Sequence, residues 1–600
     1  MSYNTPVKDM MFVMTELAGL EQISTLPGCA DATFDTARTI LEEGAKFCGD
    51  VLAPLNVTGD RNPAVWNDGE VTASPGFKKA FRQFVEGGWQ GLMHPSEYGG
   101  QGLPKLIAAP CLEMVKAANL SFATCPSLTD GAIEAILLAG SDDQKRRYLP
   151  KLIAGEWTGT MNLTEPQAGS DLSMLRARAQ PHDDGTYRVF GTKIFISWGE
   201  HDMADNIVHL VLARLPNAPE GVKGISLFIV PKFLVSEDGS LGARNDVRCL
   251  SIEHKLGLKA SPTATLQFGD DGGATGYLVG EPHRGLEYMF VMMNAARFAV
   301  GLQGIAIAER AYQKAAAYAK ERVQGRAVDG SSDQPVPIIR HPDVKRMLAT
   351  MRSLTESARA LAYVAASHDD LAHRHSDQSE RARHRSIYEY LVPIVKGWST
   401  ELAVEVASLG VQVHGGMGFI EETGAAQYYR DARILPIYEG TTAIQANDLI
   451  GRKTVRDGGE MARSMLAGVD RTLAELHAHA AFRRNPAFGA MHLHLAAGRT
   501  AMESAIEFIL GHFRSDPNAT FAGGVPYLKL SGIVLCGWQM ARALLVAADR
   551  ETSDPSFYGA KMAMAHFFAT HILPQAAAFE AAIVSARHGE GVLGLAEEGF

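Results

Sequence analysis

"YRVFGTKIFIS", residues 187–197, is the stretch of this 600-residue chain that decides the fold. It is rich in β-branched and aromatic residues, and "DDG" stands just before it, which is typical of a strand that follows a turn. Three similar runs lie nearby: "NIVHLVLARL" (206–215), "GISLFIVPKF" (224–233) and "TATLQFG" (263–269). Gly, Pro and Asp bound these runs, so they predict an all-β domain, for which we expect residues 159–280.

Helical patterns lie on both sides of this β domain. "TARTILEEGAKFCGDVLAPLN" (36–56) and "AARFAVGLQGIAIAERAYQKAAAYAKERV" (295–323) place apolar residues at helix spacing. The C-terminal tail is also helical in pattern and rich in Ala, Leu and His. The sequence therefore predicts an α+β multidomain protein with helical regions over 1–158, 281–451 and 452–600. "RKTVRDGGE" (452–460) is the candidate linker between the last two.

Length and charge restrict the kinds of function that this chain can have. A chain of 600 residues is too long for one core, which indicates several domains. With 46% hydrophobic and 21% charged residues, the composition is that of a soluble globular protein. A net charge of −10 argues against a nucleic-acid or anionic-membrane partner.

The cysteines and the N-terminal segment indicate a reducing compartment. No two cysteines form a CxxC pair, so neither a zinc site nor a disulfide framework is indicated. The start, "MSYNTPVKDMMFVM", lacks a basic region followed by a long apolar run, and we expect no signal peptide. No stretch approaches ~18 uninterrupted apolar residues, so we also expect no membrane span. These features predict a cytoplasmic protein.

Glu439 is the candidate catalytic residue. It stands in "PIYEGTTAIQ" (436–445), behind Ile437 and Tyr438 and before Gly440. An ionised carboxylate in apolar surroundings is costly unless it is paired, so such a group has either a raised pKa or a function. The alternative is a buried acid that serves the structure.

Two stretches offer hydroxyl groups and an aromatic wall. "MNLTEPQAGSD" (161–171) carries a Thr, a Gly and a Ser on a tight loop, which suits a polar heterocycle or a phosphate. An ordinary turn is the alternative. In "GTKIFISWGEHD" (191–202), Phe195 and Ser197 lie two residues apart on a predicted strand and should face the same side. They could hold a flat ring, although a strand Phe is more often part of the core.

Two later stretches follow long helices. "KERVQGR" (320–326) places Arg322 at a helix end, where it either complements the helix dipole or binds a phosphate. "VQVHGGMGFIEETG" (411–424) is a Gly-rich exit from a helix, and a C-cap explains one glycine but hardly three.

Two other kinds of site are not favoured. A G-x-G-x-x-G motif after a strand within a βαβ unit is absent, which argues against a nicotinamide enzyme of that type. The His477/His479 and His492/His494 pairs have i, i+2 spacing and point to different helix faces, so we expect no metal site.

Taken together, these stretches resemble the acyl-CoA dehydrogenase family. The matching segments, in chain order, are "GWQGLMHPSEYGGQGLP", "QKRRYLPKLIAGEWTGTMNLTEPQAGSD", "GTKIFISWG", "EHKLGLKASPTATLQF", "KERVQGR", "VQVHGGMGF" and "YYRDARILPIYEGTTAIQ". They run from about residue 88 to residue 447. The N-terminal opening and long tail look like the subgroup that includes 3-methylmercaptopropionyl-CoA dehydrogenases. The resemblance implies a helical N-terminal domain, a middle β-barrel-like domain and a C-terminal four-helix bundle, here with an extra C-terminal helical domain.

The resemblance also implies FAD as the cofactor, between the β domain and the bundle. By matching position, the residues expected to bind FAD are Met161, Leu163, Thr164, Gly169, Ser170, Phe195, Ser197, Arg322, Gln324, Gln412, Gly415, Gly416 and Thr441. Of these, Arg322 and Gln324 would reach the FAD of a neighbouring subunit. The residues expected to contact the substrate are Ser170, Asn294, Arg297, Tyr438 and Gly440, and the family often has Asp at the position of Asn294.

The implied reaction is α,β-dehydrogenation of an acyl-CoA thioester to the trans-2-enoyl-CoA. Glu439 matches the family's catalytic base, and its backbone N–H with a ribityl hydroxyl of FAD would polarise the thioester carbonyl. Electron-transfer flavoprotein is the implied acceptor, and a homodimer is expected because the tail would occupy the place of a second dimer. The alternatives are an acyl-CoA oxidase and a non-catalytic flavin-binding or DNA-binding member of the fold. The tail 451–600, with 14 basic and 14 acidic residues, disfavours DNA.

Overall fold

A computed structural model of the chain describes residues 3–586 and 591–599. The N-terminal region is helical, as predicted, with one short hairpin that the sequence patterns missed. Its helices are α1 (Val7–Phe12), α2 (Leu20–Ser24), α3 (Phe34–Phe47), α4 (Ala53–Arg61), α5 (Phe77–Glu86), α6 (Lys105–Ala118), α7 (Leu120–Ala139) and α8 (Asp142–Ile153). The hairpin pairs β1 (Val65–Asn67) with β2 (Glu70–Thr72).

The middle region is a closed barrel. Its strands are β3 (Trp157–Asn162), β4 (Arg178–Pro181), β5 (Tyr187–Ser197), β6 (Asn206–Arg214), β7 (Ile225–Pro231), β8 (Phe233–Val235), β9 (Leu241–Arg244), β10 (Val247–Ile252), β11 (Thr263–Phe268) and β12 (Ala274–Val279). The main sheet runs β10-β11-β5-β12-β7-β6-β3. It closes because β4 pairs with both β5 and β6. The β8–β9 hairpin stands apart from this sheet.

Three long helices follow the barrel and pack together. They are α9 (Gly285–Glu321), α10 (Pro342–Arg374) and α11 (Gln378–His414), and the short α12 (Ala425–Ala432) and α13 (Thr442–Asp448) come next. A second hairpin missed by the sequence patterns, β13 (Val323–Arg326) with β14 (Pro335–Pro337), joins α9 to α10. α9 also packs against α6 and α7, so the bundle is continuous with the N-terminal helices.

The tail forms a further helical region against the bundle. Its helices are α14 (Glu460–Ala478), α15 (Pro486–His512), α16 (Pro517–Ala522), α17 (Gly524–Arg550), α18 (Pro555–Phe567) and α19 (Ala576–Val584). The segment predicted as a linker is instead a π-helical turn, Leu449–Val455, followed by a tight turn into α14. Within it Thr454 is buried, and its hydroxyl lies 3.1 Å from that of Tyr527. The connection is therefore part of the packed structure.

Local sequence fixes where many of these helices begin. Ser141 and Gln144 form a capping box at the start of α8. Asn485 caps α15 and Asp554 caps α18, and each is followed by a proline in the first helical position. A proline fits there because its missing N–H has no helical partner in the first turn.

Two hydrophobic cores meet at one cleft. One core runs through the N-terminal helices, the bundle and the tail, and it includes Leu302 and Leu402. The other fills the barrel and takes in Ile133 of α7 and Met289 of α9. Because α7 and α9 contribute to both cores, they fix the barrel against the helical part.

By length and composition alone, four helices of the described residues could cross a membrane: Leu120–Ala139, Gly285–Glu321, Gly524–Arg550 and Pro555–Val584. The expectation of no span rested on uninterrupted apolar runs, whereas these helices reach a high mean hydropathy with polar interruptions. In the first three helices, 61%, 67% and 78% of the most apolar 18-residue stretch is buried inside the protein. In the fourth helix the buried share is 33%. The apolar faces of those three therefore serve the core, and the absence of a membrane partner stays a prediction.

The predicted fold class is confirmed: a helical N-terminal part, a β-barrel, a helical bundle and an extra C-terminal helical region follow one another along the chain. The exact domain bounds remain predictions. All six cysteines are buried and free, namely Cys29, Cys48, Cys111, Cys125, Cys249 and Cys536.

Candidate active site

A cavity of about 810 Å³ lies where the two cores meet, between the barrel and the bundle. The structure brings most of the predicted site residues together in its wall: Met161, Leu163, Thr164, Gly169, Ser170, Phe195, Ser197, Arg297, Tyr438, Glu439, Gly440 and Thr441. They come from segments far apart in sequence, which only the packing of the barrel on the bundle joins.

The loop after β3 is fixed from below by a buried ion pair. Glu165 accepts hydrogen bonds from Lys193 Nζ (2.8 Å) and from the backbone N–H groups of Arg176 and Ala177 (2.7 and 3.0 Å). Burial alone would raise the pKa of Glu165, but these donors hold it below its usual value. Lys193 also donates to the carbonyl of Leu163 (3.1 Å). The hydroxyl-bearing loop that follows is thereby held at the cavity wall.

The end of β5 presents an aromatic ring to this cavity. Phe195 is 58% exposed, so the expectation that a strand Phe belongs to the core is wrong here. Its backbone has φ +60°, and the pairing of β5 with β11 shifts register between Ala264 and Leu266. Because the irregularity breaks strict alternation, Ile196 lines the cavity together with Phe195 and Ser197.

Glu439 lies on a tight turn between Pro436 and α13. Its φ is +53° and that of Gly440 is +89°, so two consecutive residues are left-handed. A Cβ on Gly440 would come within 2.6 Å of Gln445 Nε2, the end of a flexible side chain, so the positive φ is the main reason for a glycine there. Thr441 caps α13 by accepting a hydrogen bond from the N–H of Ile444 (3.3 Å).

The electrostatics of Glu439 are those of a poorly paired acid. Its side chain is half-buried, and burial raises its pKa, while the charges of Lys396 and Arg297 oppose that rise. Among the described residues no donor makes a hydrogen bond to its carboxylate. Arg297, which could have paired with it, instead forms an ion pair with Asp448 (3.0 Å).

Backbone strain is concentrated around the cavity. Phe195, Leu258 and Glu439 all line it, and each has a positive φ although none is glycine (+60°, +48° and +53°). A left-handed conformation is unfavourable for such residues, and it persists only where the surroundings fix it. Three of the non-glycine residues with a positive φ in the described chain thus line this cavity, which is consistent with a functional site there.

The sequence patterns missed part of the cavity wall. The loop from Glu253 to Leu258, with Ser261 and Thr263, contributes a long stretch of it. This loop belongs to "EHKLGLKASPTATLQF", one of the segments that resemble the family. Its Gly, Pro and charged residues between strands were the sequence signal that could have indicated a loop at the site. Arg430 and Arg433 also line the cavity, and no pattern pointed to them.

Six predicted site residues lie outside this cavity: Asn294, Arg322, Gln324, Gln412, Gly415 and Gly416. Asn294 is half-buried on α9, and the other five are exposed. Arg322 follows the last residue of α9, and Gly415, with φ +60°, ends α11. The single chain does not bring these two helix ends to Glu439.

Comparisons with known proteins decide the family. Four family models match in order: acyl-CoA dehydrogenase N-terminal domain over residues 35–156, middle domain over 160–270 and C-terminal domain over 283–453, then an acetyl-CoA dehydrogenase C-terminal-like domain over 467–589. The chain belongs to the acyl-CoA dehydrogenase family. It is therefore an oxidoreductase of the acyl-CoA dehydrogenase type, as the sequence predicted.

Individual relatives extend over nearly the whole chain. The chain is 53% identical to 3-methylmercaptopropionyl-CoA dehydrogenase of Ruegeria pomeroyi, over 96% of this chain and 97% of that protein. It is 33% identical to a butyryl-CoA dehydrogenase of Syntrophomonas wolfei, over 96% and 95%. An acyl-CoA dehydrogenase from Bacillus anthracis, crystallised with FAD, shares the fold with a TM-score of 0.74 at 22% identity, over 95% of this chain and 91% of that one.

The cavity residues fit FAD, the cofactor of this family. The exposed Phe195 ring offers a flat apolar surface for a ring system, and Thr164, Ser170 and Ser197, which carry hydroxyl groups, line the same cavity. The loop carrying the first two is held by the buried Lys193–Glu165 pair. Among the described residues, no group of three or more His, Cys, Asp or Glu side chains could hold a metal ion.

Proposed function

We propose that this acyl-CoA dehydrogenase uses Glu439 as the general base and FAD as the hydride acceptor, and forms the trans-2-enoyl-CoA. The observation that carries the proposal is the environment of Glu439. Its carboxylate reaches the cavity and, among the described residues, accepts no hydrogen bond, while burial raises its pKa toward the range that suits a base at neutral pH. A structural acid would have its oxygen atoms satisfied.

Glu439 removes the α proton of the thioester in this proposal. The α proton becomes acidic enough only if the thioester carbonyl is polarised by hydrogen-bond donors. Within the described part of the chain, the N–H of Glu439 donates to no protein acceptor, which leaves it free for that carbonyl. Bound in this cavity, FAD would supply the acceptor for the hydride that leaves the β carbon.

We propose that the cavity residues named above hold FAD and the acyl chain. Phe195, Ser197, Thr164 and Ser170 would contact the flavin, and Thr441 would meet the pyrophosphate region from the bundle side. Tyr438 would line the acyl part, where its hydroxyl is already bonded to Gln303 Oε1. Arg297 would contact the substrate, since only its Nη1 is bonded to Asp448 and its buried Nε has no partner among the described residues.

We propose 3-methylmercaptopropionyl-CoA as the substrate. The support is the 53% identity to the Ruegeria pomeroyi enzyme over almost the whole of both chains. Met161 and Met293 line the cavity, and their flexible side chains can adapt their packing to an unbranched thioether chain. Electrons would pass to electron-transfer flavoprotein, with molecular oxygen, as in an acyl-CoA oxidase, as the alternative. A cytoplasmic location remains part of the proposal.

A homodimer is the proposed assembly. Arg322, Gln324, Gln412, Gly415 and Gly416 are exposed and lie away from the cavity, as expected of residues that complete the FAD site of a neighbouring subunit. Light scattering should report a dimer, and Arg322→Ala should release FAD during gel filtration more readily than the parent. A monomer that retains FAD would rule out the shared site. A tetramer would contradict only the proposal that the tail occupies the place of a second dimer.

The decisive experiment is Glu439→Gln, assayed against an acyl-CoA panel that includes 3-methylmercaptopropionyl-CoA with electron-transfer flavoprotein or oxygen as acceptor. Glutamine keeps the shape but accepts no proton, so turnover should fall by roughly 10²–10⁴-fold while the yellow flavin is retained. Glu405→Gln is the matched control. Glu405 also has a pKa raised by shielding from water, but it lies outside this cavity and should tolerate the change. Full turnover of Glu439→Gln would place the base elsewhere.

A further inference from the structure

Lys396 is a buried lysine whose charge is aimed at the turn that carries Glu439. It lies on α11, is fully buried, and is not part of the cavity wall. Its Nζ donates to the carbonyls of Leu435 (3.0 Å) and Gly440 (2.6 Å). These two carbonyls bracket the turn, so one ammonium group ties its beginning to its end.

Gln445 makes a second, uncharged tie to the same turn. Its Nε2 donates to the carbonyl of Glu439 (3.2 Å) and to that of Gly440 (3.3 Å). The turn needs such ties because Glu439 and Gly440 are both left-handed, and Glu439 carries a Cβ that disfavours this conformation. Lys396 and Gln445 therefore hold a backbone conformation that the local sequence does not favour.

The charges around Glu439 come from several packed elements. Arg297 on α9 and Lys396 on α11 act directly on its carboxylate. Further out lie Glu401 on α11, Asp448 on α13 and Arg452 beyond it, with His254, Lys255, Arg430 and Arg433 on the cavity wall. Arg297 is neutralised in part by Asp448, which leaves the ammonium of Lys396 as the less compensated cation.

Among the described residues, Lys396 has no charged partner in bonding distance, only the two backbone carbonyls. Burial lowers its pKa to about 8, and the nearby Glu439 carboxylate opposes that fall. Burying this lysine costs desolvation energy. It lies between two carbonyls and beside one unpaired acid, a position that packing alone does not require.

We propose that Lys396 is a positioning residue for the catalytic base: it fixes the left-handed Glu439–Gly440 turn through the Leu435 and Gly440 carbonyls and favours the ionised form of Glu439. This inference rests on the proposed function, because it needs Glu439 to be the base. Lys396 itself touches no substrate, and it acts through the backbone and through its charge.

The test compares three variants of the flavin-loaded full chain. Lys396→Met removes both the charge and the tie, so kcat should fall by about 10- to 100-fold, as expected for a misplaced base. Because the cation favours the carboxylate, its loss raises the pKa of Glu439, and the acidic limb of kcat/KM against pH should move to higher pH. Lys396→Arg keeps the charge and should leave that limb in place. Gln445→Met removes only the neutral tie and should lower kcat without moving the limb.

Lys116→Met is the matched control. Lys116 is also buried, with a pKa lowered to about 8 by burial, but it lies on α6 and not in the cavity wall. Lys116→Met can have a lower melting temperature than the parent, yet its pH profile of kcat/KM should be the same as the parent's. Exchange of the α protons of 3,3-dimethylbutyryl-CoA in D2O, followed by mass spectrometry, gives a second measurement. This thioester has no β hydrogen, so exchange reports proton removal alone.

Two results would overturn the inference. One is a Lys396→Met variant whose pH profile of kcat/KM coincides with that of the parent and whose kcat is unchanged. The other is a Lys116→Met variant whose acidic limb moves as far as that of Lys396→Met. Should Lys396→Met not fold, the Lys396→Arg and Gln445→Met pair decides: a moved limb in Gln445→Met would show that charge is not the cause. Glu439→Gln separates this inference from the proposed function. If that variant keeps full turnover, the proposed base fails, whereas an inactive Glu439→Gln with an unshifted Lys396→Met rejects Lys396 only.

Discussion

Among the regions of this molecule that bury charge, the Arg359 cluster and the surroundings of Glu439 do so in opposite ways. In the Arg359 cluster, defined here as Asp9, Glu113, Glu309, Glu356, Arg359 and Lys561, every buried charge meets an opposite charge. Around Glu439 the charges are close, but the carboxylate accepts no hydrogen bond from the described residues. In the first arrangement each charge is compensated by another, whereas the second leaves a carboxylate without a hydrogen-bond donor among the described residues.

The Arg359 cluster joins parts of the chain that are far apart. Arg359 on α10 donates to Asp9 of α1 (2.7 Å), Glu113 of α6 (2.7 Å) and Glu309 of α9 (2.8 Å). Lys561 of α18 then pairs with Asp9 and Glu356. Nearby cations lower the pKa of Asp9 in spite of its burial. The cluster thereby connects the N-terminal helices, the bundle and the C-terminal tail.

The comparison teaches that burial of an acid is not by itself a sign of function. Glu113 is fully buried, but one of its oxygens accepts from Arg359 and the other from the Tyr363 hydroxyl (2.8 Å). Burial raises the pKa of Glu113 as it does that of Glu439. What separates them is the cavity and the strained turn at Glu439, together with the unfilled hydrogen-bonding capacity of its carboxylate.

Arg359→Met should have the largest effect on stability. It leaves three buried carboxylates without their shared cation, and breaking a buried ion pair in this way costs about 3–5 kcal/mol. Urea unfolding should therefore show a large drop in the free energy of unfolding. Arg346→Met is the matched control, since the Arg346–Asp343 pair is exposed and should contribute less than about 1 kcal/mol. Equal losses in the two variants would show that the cluster is not cooperative.

His94→Gln tests whether a third buried charge is compensated by its neighbours, because its effect on stability should depend on pH. His94 is fully buried and contacts Asp130 (2.9 Å) and Glu134 (3.5 Å). Burial by itself would lower the pKa of His94, but the two acids outweigh it and raise it to about 9. The folded-state pKa exceeds the ordinary value of about 6.5, so the charged histidine stabilises the fold fully below pH ~6.5 and loses that effect as the pH rises through about 9.

The His94→Gln variant should therefore lose about 1.5–3 kcal/mol at pH 6 and much less at pH 9.5. Chemical unfolding at the two pH values measures the difference. A loss that is the same at both would mean that His94 is neutral in the folded protein and is retained only for its shape.

Glu439→Gln should have the smallest effect on stability, with the opposite sign. The pKa of Glu439 is raised in the folded state, so the folded protein binds this proton more tightly than the unfolded chain does. Ionisation above the unfolded value, about 4.3, therefore destabilises the fold, and this effect is absent when both states are protonated. Glutamine should raise the free energy of unfolding at pH 7 by about 0.5–2 kcal/mol, as expected where stability was given up for activity.

Thermal unfolding of Glu439→Gln and the parent at pH 7 and pH 5 checks this sign. The gain should be smaller at pH 5 than at pH 7, because a raised pKa lets the folded parent take up this proton before the unfolded chain does as the pH falls. A variant that is less stable than the parent at pH 7 would indicate that Glu439 holds the turn in place through its charge, which is the structural alternative named from the sequence.

Sequence patterns captured the features that local chemistry controls. The β-rich runs from "YRVFGTKIFIS" onward became barrel strands, since β-branched and aromatic residues fit a half-buried pleated surface. The β1–β2 and β13–β14 hairpins were missed because their strands are only three or four residues long. The segment 452–460, predicted as a linker, has Thr454 buried against Tyr527, a tertiary contact that no local pattern reveals.

The sequence by itself determined the fold class, the candidate base and the hydroxyl and aromatic residues of the cavity, because strand and helix spacing and the resemblance to a family are written along the chain. The tertiary structure alone decided what surrounds Glu439. Lys396, Arg297 and Gln445 come from three different helices, and no spacing along the chain predicts that they meet one turn. The pKa of a carboxyl depends on burial and on charges within a few ångströms, and these are set by packing in three dimensions.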